Sequence, residues 1–151
     1  MCAIYGIIGN INHNLIKKIS EIQTYRGPDQ QNIQESNDKL TILGTNRLAV
    51  IDKENGIQPM TTEDGRYTIV FNGCIYNFQE IRNYLRKKNI IFKTNSDTEV
   101  FLKSFAFFGE KTFNYLDGMW SAAIYDSFKK ICILSRDYVG QKPLYYSLQK
   151  E

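Results

Sequence analysis

The hydrophobic period changes twice along this chain, and those changes limit the architectures open to it. Residues 2–8, CAIYGII, are apolar and β-prone, and Gly6 and Gly9 break the run, so a buried strand ending in a turn is expected. Leu15, Ile16, Ile19 and Ile22 then recur at helical spacing, which marks a short amphipathic helix before the loop RGPD at 26–29. The period shortens again. LTILGT, RLAVID and RYTIVFNG are β-rich runs separated by polar turns such as KENG and TEDG, and each is expected to be a strand.

Two helices follow. Asn77 and Glu80 stand as a capping pair before the stripe Phe78, Ile81 and Leu85, which runs to Lys88. Ser96 and Glu99 fit the S-x-x-E capping box, with Val100, Phe101, Phe105 and Phe108 as the apolar face and Gly109 as the stop. Further on, MWSAAIYD and KICILSRD flank the turn SFKK as a β-hairpin, and PLYYSL begins another strand. Trp120 and the phenylalanines read as core. The pattern is α+β, strand-dominated at both ends, with no repeat, low-complexity tract or linker to divide residues 1–151.

With 42% hydrophobic and 23% charged residues, neither disorder nor a fibrous repeat is favoured. The net charge of +3 is scattered, and the one dense basic cluster, RKKN at 86–89, reads as a solvated helix end, so nucleic acid is not an expected partner. No apolar run reaches membrane-spanning length and the start lacks the basic head of a secretory signal, so a cytoplasmic protein is expected. Cys2, Cys74 and Cys132 lie far apart with a single histidine, His13, in the polar turn NINHN, which argues against a disulfide framework or a metal site.

Cys2 admits two readings: a small hydrophobe at the head of a strand, or a nucleophile. A cysteine attacks as thiolate and so needs a base. One that becomes the first residue has such a base in its own α-amine, whose ordinary pKa near 7.7 to 8.0 leaves it partly neutral. Met1 would have to be removed, and a side chain as small as cysteine permits this. Arg47 on the same terms is a surface arginine at a strand start, Asn72-Gly73 a tight turn, and Asp97 an acid favoured in the first turn of a helix.

Eight segments in order, MCAIYGIIG, RGPD, RLAVID, QPM, NGCIYN, SDTEV, GMWSAAIYD and RDYVGQKPLYY, together resemble the glutaminase domain of asparagine synthetases, the class II glutamine amidotransferases. The resemblance implies a four-layer αββα N-terminal-nucleophile hydrolase sandwich of two antiparallel sheets between helices, here C-terminally truncated. It implies that Cys2 forms a glutamyl thioester, that the Asn72 amide and Gly73 N–H make the oxyanion hole, that Arg47 holds the α-carboxylate of glutamine, and that Asp97 holds its α-ammonium. RGPD is given no catalytic role.

Three positions depart from the family. Cys74 stands where a glutamate is usual, leaving Asp97 to hold the ammonium by itself and implying weaker glutamine binding; Thr45 replaces a common histidine and Ala3 a glycine. A second thiol near Cys2 also invites oxidation. The partners implied are glutamine and a synthetase domain in cis or in trans, with ATP and magnesium belonging to that domain and no cofactor or metal to this chain; a homodimer is compatible. Two alternatives remain: a catalytically silent scaffold module, and the glutaminase of an amidotransferase with another acceptor.

Overall fold

The computed structural model describes residues 1–148 and divides their strands between two antiparallel sheets. The first has the order β1–β3–β2, from β1 (Ala3–Ile8), β2 (Gln30–Glu35) and β3 (Thr41–Arg47). The second has the order β4–β5–β6–β7, from β4 (Met60–Thr61), β5 (Tyr67–Ile75), β6 (Gly118–Asp126) and β7 (Ile131–Arg136). Helix α1 (His13–Gln23) covers the outside of the first sheet, and α2 (Phe78–Arg86) and α3 (Asp97–Phe108) cover the outside of the second.

Alternation along the strands builds the layers. Odd residues of β5 and even residues of β6, among them Ile69, Phe71, Ile75, Trp120, Ala122 and Ile124, pack outward on Val100, Phe101 and Phe105 of α3 and Ile81 and Leu85 of α2. The intervening Val70, Ala123 and Tyr125 face inward and meet Leu43 and Ile4 of the first sheet. On that sheet's far side Asn46 donates to the carbonyl of Ser20 on α1 at 2.8 Å. The result is the αββα order of helix, sheet, sheet, helix.

Ser96 caps α3 by accepting from the Glu99 N–H at 3.2 Å, and Gly109 closes it at φ 62°. Glu99 does not reach back to the cap. Its carboxylate accepts from the N–H groups of Lys93 and Thr94 and pairs with Lys103, so although burial pushes its pKa up, these donors bring it below the ordinary value. Ser96→Ala is expected to cost about 1 kcal/mol, read from the denaturant midpoint.

Several expectations need correction. RLAVID is not a strand beyond Arg47, because the chain turns there and the Arg47 guanidinium binds the carbonyls of Ile51, Asp52 and Lys53. PLYYSL is irregular, with Tyr145, Tyr146 and Leu148 exposed and no strand beside it among the described residues. Gln30–Glu35, too polar to read as a strand, pairs with β3 throughout. Asn77 does not cap α2; its side chain bridges the Tyr115 carbonyl and the Asp117 N–H. His13 opens α1 rather than lying in a turn, with Nε2 3.2 Å from Glu35. Arg86–Asn89 is exposed, and no helix among the described residues is long and apolar enough to cross a membrane.

Candidate active site

A cavity of about 180 Å³ opens where the start of β1, the turn after β3, the edge of β5 and the first turn of α3 converge. Cys2, Arg47, Asn72, Gly73 and Asp97, scattered over 95 positions of sequence, all line it. Arg47 is 4% exposed and so is no surface arginine, and Asn72-Gly73 lies inside β5 rather than at a turn. Asp97 does open α3, as an acid favoured in a first turn would, and is itself only 4% exposed.

The edge of β5 presents its donors to this cavity. Gly73 stands opposite Trp120, and both backbone groups of Trp120 are turned toward Asp137, which accepts from its N–H at 3.1 Å and donates to its carbonyl at 2.8 Å. In an antiparallel pair both residues then face away from each other. The Gly73 N–H therefore points out of the sheet, as its neighbours confirm: the Phe71 N–H reaches Gln58 Oε1 at 2.7 Å and the Ile75 N–H reaches Asp97 Oδ2 at 3.1 Å. Between them Gly73 has no acceptor among the described residues. A Cβ on Gly73 would lie 2.0 Å from the Met119 carbonyl oxygen, so the strands can pair here only through glycine.

Asn72, next along β5, projects from the inner face, and its amide has no partner among the described side chains although the residue is only 7% exposed. Two polar donors without protein acceptors thus reach one cavity wall. Both open onto the cavity, where a ligand oxygen can accept from them.

Cys2 has one direct polar contact, and the segments around it are tied down by others. Its Sγ lies 3.6 Å from the Leu48 carbonyl, and Leu48 belongs to a turn clamped by the RGPD loop, where Asp29 accepts from the Ala49 N–H at 2.7 Å and donates its own N–H to the Arg47 carbonyl. Gly27 of the same loop lies so close to β3 that a Cβ would fall 2.1 Å from the Asn46 carbonyl oxygen. Thr45, fully buried, donates to the carbonyl of Ala3 at 3.1 Å, so two of the departures from the family pattern form one contact beside the cysteine. RGPD and Thr45 are therefore positioning elements.

Asp97 is placed with equal care. Arg82 of α2 donates to the carbonyls of Thr94 and Ser96, and Asp52 accepts from the Asn95 N–H at 2.6 Å, which ties the start of α3 to the turn that Arg47 organises. Burial lifts the Asp97 carboxyl above its ordinary pKa, opposed by the N–H groups of Ile75 and Thr98 and by the Arg47 charge. Because the fold disfavours the ionised form, stability is greatest below the ordinary carboxyl pKa and falls as pH rises through the raised one. Asp97→Asn should accordingly unfold at a higher temperature than the wild type at pH 7, with the advantage shrinking in acid; thermal melts across pH measure this.

The cavity also contains Gln58 and Lys142, for which the sequence suggests no role. Gln58 is buried and bridges Phe71 to Thr98 of α3, with Nε2 donating to Thr98 Oγ1 at 3.2 Å. Cys74 shares the cavity wall with Asp97 and Lys142; burial and Asp97 push its thiol pKa up, against the pull of Lys142, so it remains a thiol at neutral pH. Cys132, packed between the sheets, is pushed to about 11. Both Gln58 and Lys142 fall inside segments that carry the resemblance, QPM and RDYVGQKPLYY, but nothing local to those segments shows which side chain turns toward the cavity.

Comparison with known proteins gives a consistent context. The family described as glutamine amidotransferase domain matches residues 1–151. Asparagine synthetase [glutamine-hydrolyzing] 1 of Bacillus subtilis (strain 168) is 36% identical over 97% of this chain and 24% of its own length. The asparagine synthetase [glutamine-hydrolyzing] of Zea mays is 35% identical over 96% of this chain and 25% of its own length. The chain thus spans about a quarter of these curated relatives. Among solved structures, glutamine phosphoribosylpyrophosphate amidotransferase from B. subtilis, complexed with ADP and GMP, superposes with a TM-score of 0.71 over 91% of this chain and 37% of that one at 17% identity, a likeness of fold.

Proposed function

The chain belongs to the glutamine amidotransferase domain family, and from that premise we propose that it hydrolyses glutamine to glutamate and ammonia through a thioester on Cys2. The observation that carries the reading is the pair of unsatisfied donors, Gly73 N–H and the Asn72 amide, on the wall of the cavity that Cys2 lines.

Once Met1 is removed, the Cys2 α-amine takes the thiol proton and the thiolate attacks the side-chain carboxamide carbon of glutamine. The carbonyl oxygen becomes an oxyanion and receives hydrogen bonds from Asn72 and Gly73, which are already oriented and need no reorganisation. The α-ammonium returns its proton to the departing nitrogen, ammonia leaves, and a glutamyl thioester remains. Water, deprotonated by the same amine, attacks the thioester, and glutamate and the thiol are released. In the unprocessed chain Met1 stands in the cavity, so processing both unmasks the base and clears the site.

Among the described residues Asp97 is the one carboxylate on the wall and takes the substrate ammonium, while Arg47 contributes positive charge for the carboxylate end. Asp97→Asn is expected to raise the KM for glutamine about ten- to hundredfold, the worth of a charge-assisted hydrogen bond. In the wild type KM should rise as pH falls through the elevated Asp97 pKa. By likeness to the asparagine synthetases, the ammonia passes to a synthetase unit that converts aspartate to asparagine.

The test is ammonia and glutamate release by protein whose first residue has been identified by mass spectrometry. Chains beginning at Cys2 should be active and chains retaining Met1 inactive; equal activity in both would overturn the mechanism.

A further inference from the structure

Gln58, in the segment QPM, is 3% exposed and bonds to three other elements of the fold. Its backbone carbonyl accepts from Asn32 Nδ2 of β2 at 2.9 Å. Its side-chain oxygen accepts from the Phe71 N–H of β5 at 2.7 Å, and its side-chain nitrogen donates to Thr98 Oγ1 of α3 at 3.2 Å. One carboxamide thus braces the edge of β5 against the first turn of α3. The bond from the Ile75 N–H to Asp97 does the same four residues further along the strand.

The register shows why a side chain is used at this point. β4 pairs with β5 through Met60 opposite Ile69 and Thr61 opposite Thr68, and the same ladder continued backwards would set residue 58 beside Phe71. Pro59 has no N–H with which to carry it on, so the ladder stops and the Gln58 carboxamide supplies the acceptor a strand would have supplied. Outward N–H groups then recur at every second residue of β5, about 7 Å apart. The Phe71 N–H is taken by Gln58, the Ile75 N–H by Asp97, and the Gly73 N–H between them is open to the cavity. The acceptor on Phe71 is a glutamine carboxamide, the group that the substrate proposed above would present to Gly73.

We infer that Gln58 is a positioning residue for the oxyanion hole. Braced on Thr98, it fixes the β5 edge at Phe71 while Asp97 fixes it at Ile75, and the Gly73 N–H and Asn72 amide are held at a set depth between the two. Without Gln58 the strand loses its anchor on the side next to Asn72, and the Phe71 N–H becomes a second free donor that competes for the substrate oxygen. This rests on the glutamine reading above.

The test uses processed chains of the wild type and three variants. Gln58→Met fills the same volume and makes neither bond, Gln58→Glu keeps an oxygen for each partner with the Thr98 hydroxyl as donor, and Thr98→Val cuts the brace alone. Three rates are read, with thermal melts to verify folding: kcat for glutamine, labelling of Cys2 by a diazoketone analogue of glutamine whose carbonyl uses the donors, and labelling of Cys2 by methyl methanethiosulfonate, which a thiolate attacks at sulfur. Gln58→Met should lower kcat about 10²-fold and Thr98→Val about tenfold, the scale on which small misplacements of a catalytic group act, and Gln58→Glu should lose less than either. Diazoketone labelling should slow in step with kcat, and thiosulfonate labelling should not change. Wild-type kcat in folded Gln58→Met, or a fall of all three rates together, would overturn the inference; if Gln58→Met does not fold, wild-type kcat in Thr98→Val would overturn it. Diazoketone labelling of the wild type without release of ammonia from glutamine would sink hydrolysis while the two labelling rates still decided the role of Gln58; no diazoketone labelling of Cys2 would overturn both.

Discussion

Cys2→Ala should reduce ammonia release from glutamine by about 10⁴-fold or more, the scale on which a covalent nucleophile contributes when the rest of a site is intact. The substitution removes the one atom that forms the bond to substrate. It leaves the alanine α-amine, the two oxyanion donors and the charged groups in place, so the residue of catalysis is whatever positioning and oxyanion stabilisation supply to attack by water. Glutamine binding should survive, because Asp97 and Arg47 are untouched. The fold should survive too, since the Cys2 thiol makes only a long contact with the Leu48 carbonyl. Loss of kcat with retained affinity and an unaltered thermal midpoint is therefore the expected pattern. A thiol with a purely structural role would give the reverse.

Asn72→Ala should lower kcat by about 10²- to 10³-fold, corresponding to about 2.7–4 kcal/mol, with little change in KM. What matters is what the amide lacks. It sits nearly buried on the cavity wall with no partner among the described residues, so its deletion orphans no protein group. The cost should fall where negative charge develops, in the transition state, and not in the ground state. Gly73 cannot be tested in the same way, because a Cβ there collides with the backbone of β6 and would measure strand pairing instead of catalysis.

How much of this was legible beforehand differs by element. β1, β5, the β6–β7 hairpin and α3 are visible because apolar spacing, a capping serine and a stopping glycine agree with one another. The polar strand β2 is not, since its pairing comes from β3 beside it and not from its own composition. RLAVID misleads because β propensity cannot register that a buried arginine at its head collects the carbonyls that follow. PLYYSL misleads in the same direction: its residues favour a strand, but no neighbouring strand lies beside it among the described residues.

The site was legible as a set of positions through resemblance, and less so as a set of contacts. That Gly73 presents a free N–H depends on the register with Trp120 and on the Asp137 carboxylate 17 positions beyond Trp120. That Arg47 both lines the cavity and binds the carbonyls of its own loop, and that Lys142 reaches the same wall, depends on two turns folding together. Neither fact is encoded near the residue it concerns. Asp97 shows a further tension, since the burial that makes it a strong partner for an ammonium also makes its charge costly to the fold.

The central claim is that Cys2, freed of Met1, is the covalent nucleophile. Its most direct test is peptide-resolved mass spectrometry after treatment with a diazoketone analogue of glutamine, which alkylates a thiolate bound beside its carbonyl. The account predicts one adduct, on Cys2, only in chains that begin at that residue, and protection by glutamine. An adduct on Cys74 instead, labelling of Cys2 in chains that retain Met1, or undiminished ammonia release with Cys2 alkylated would contradict it.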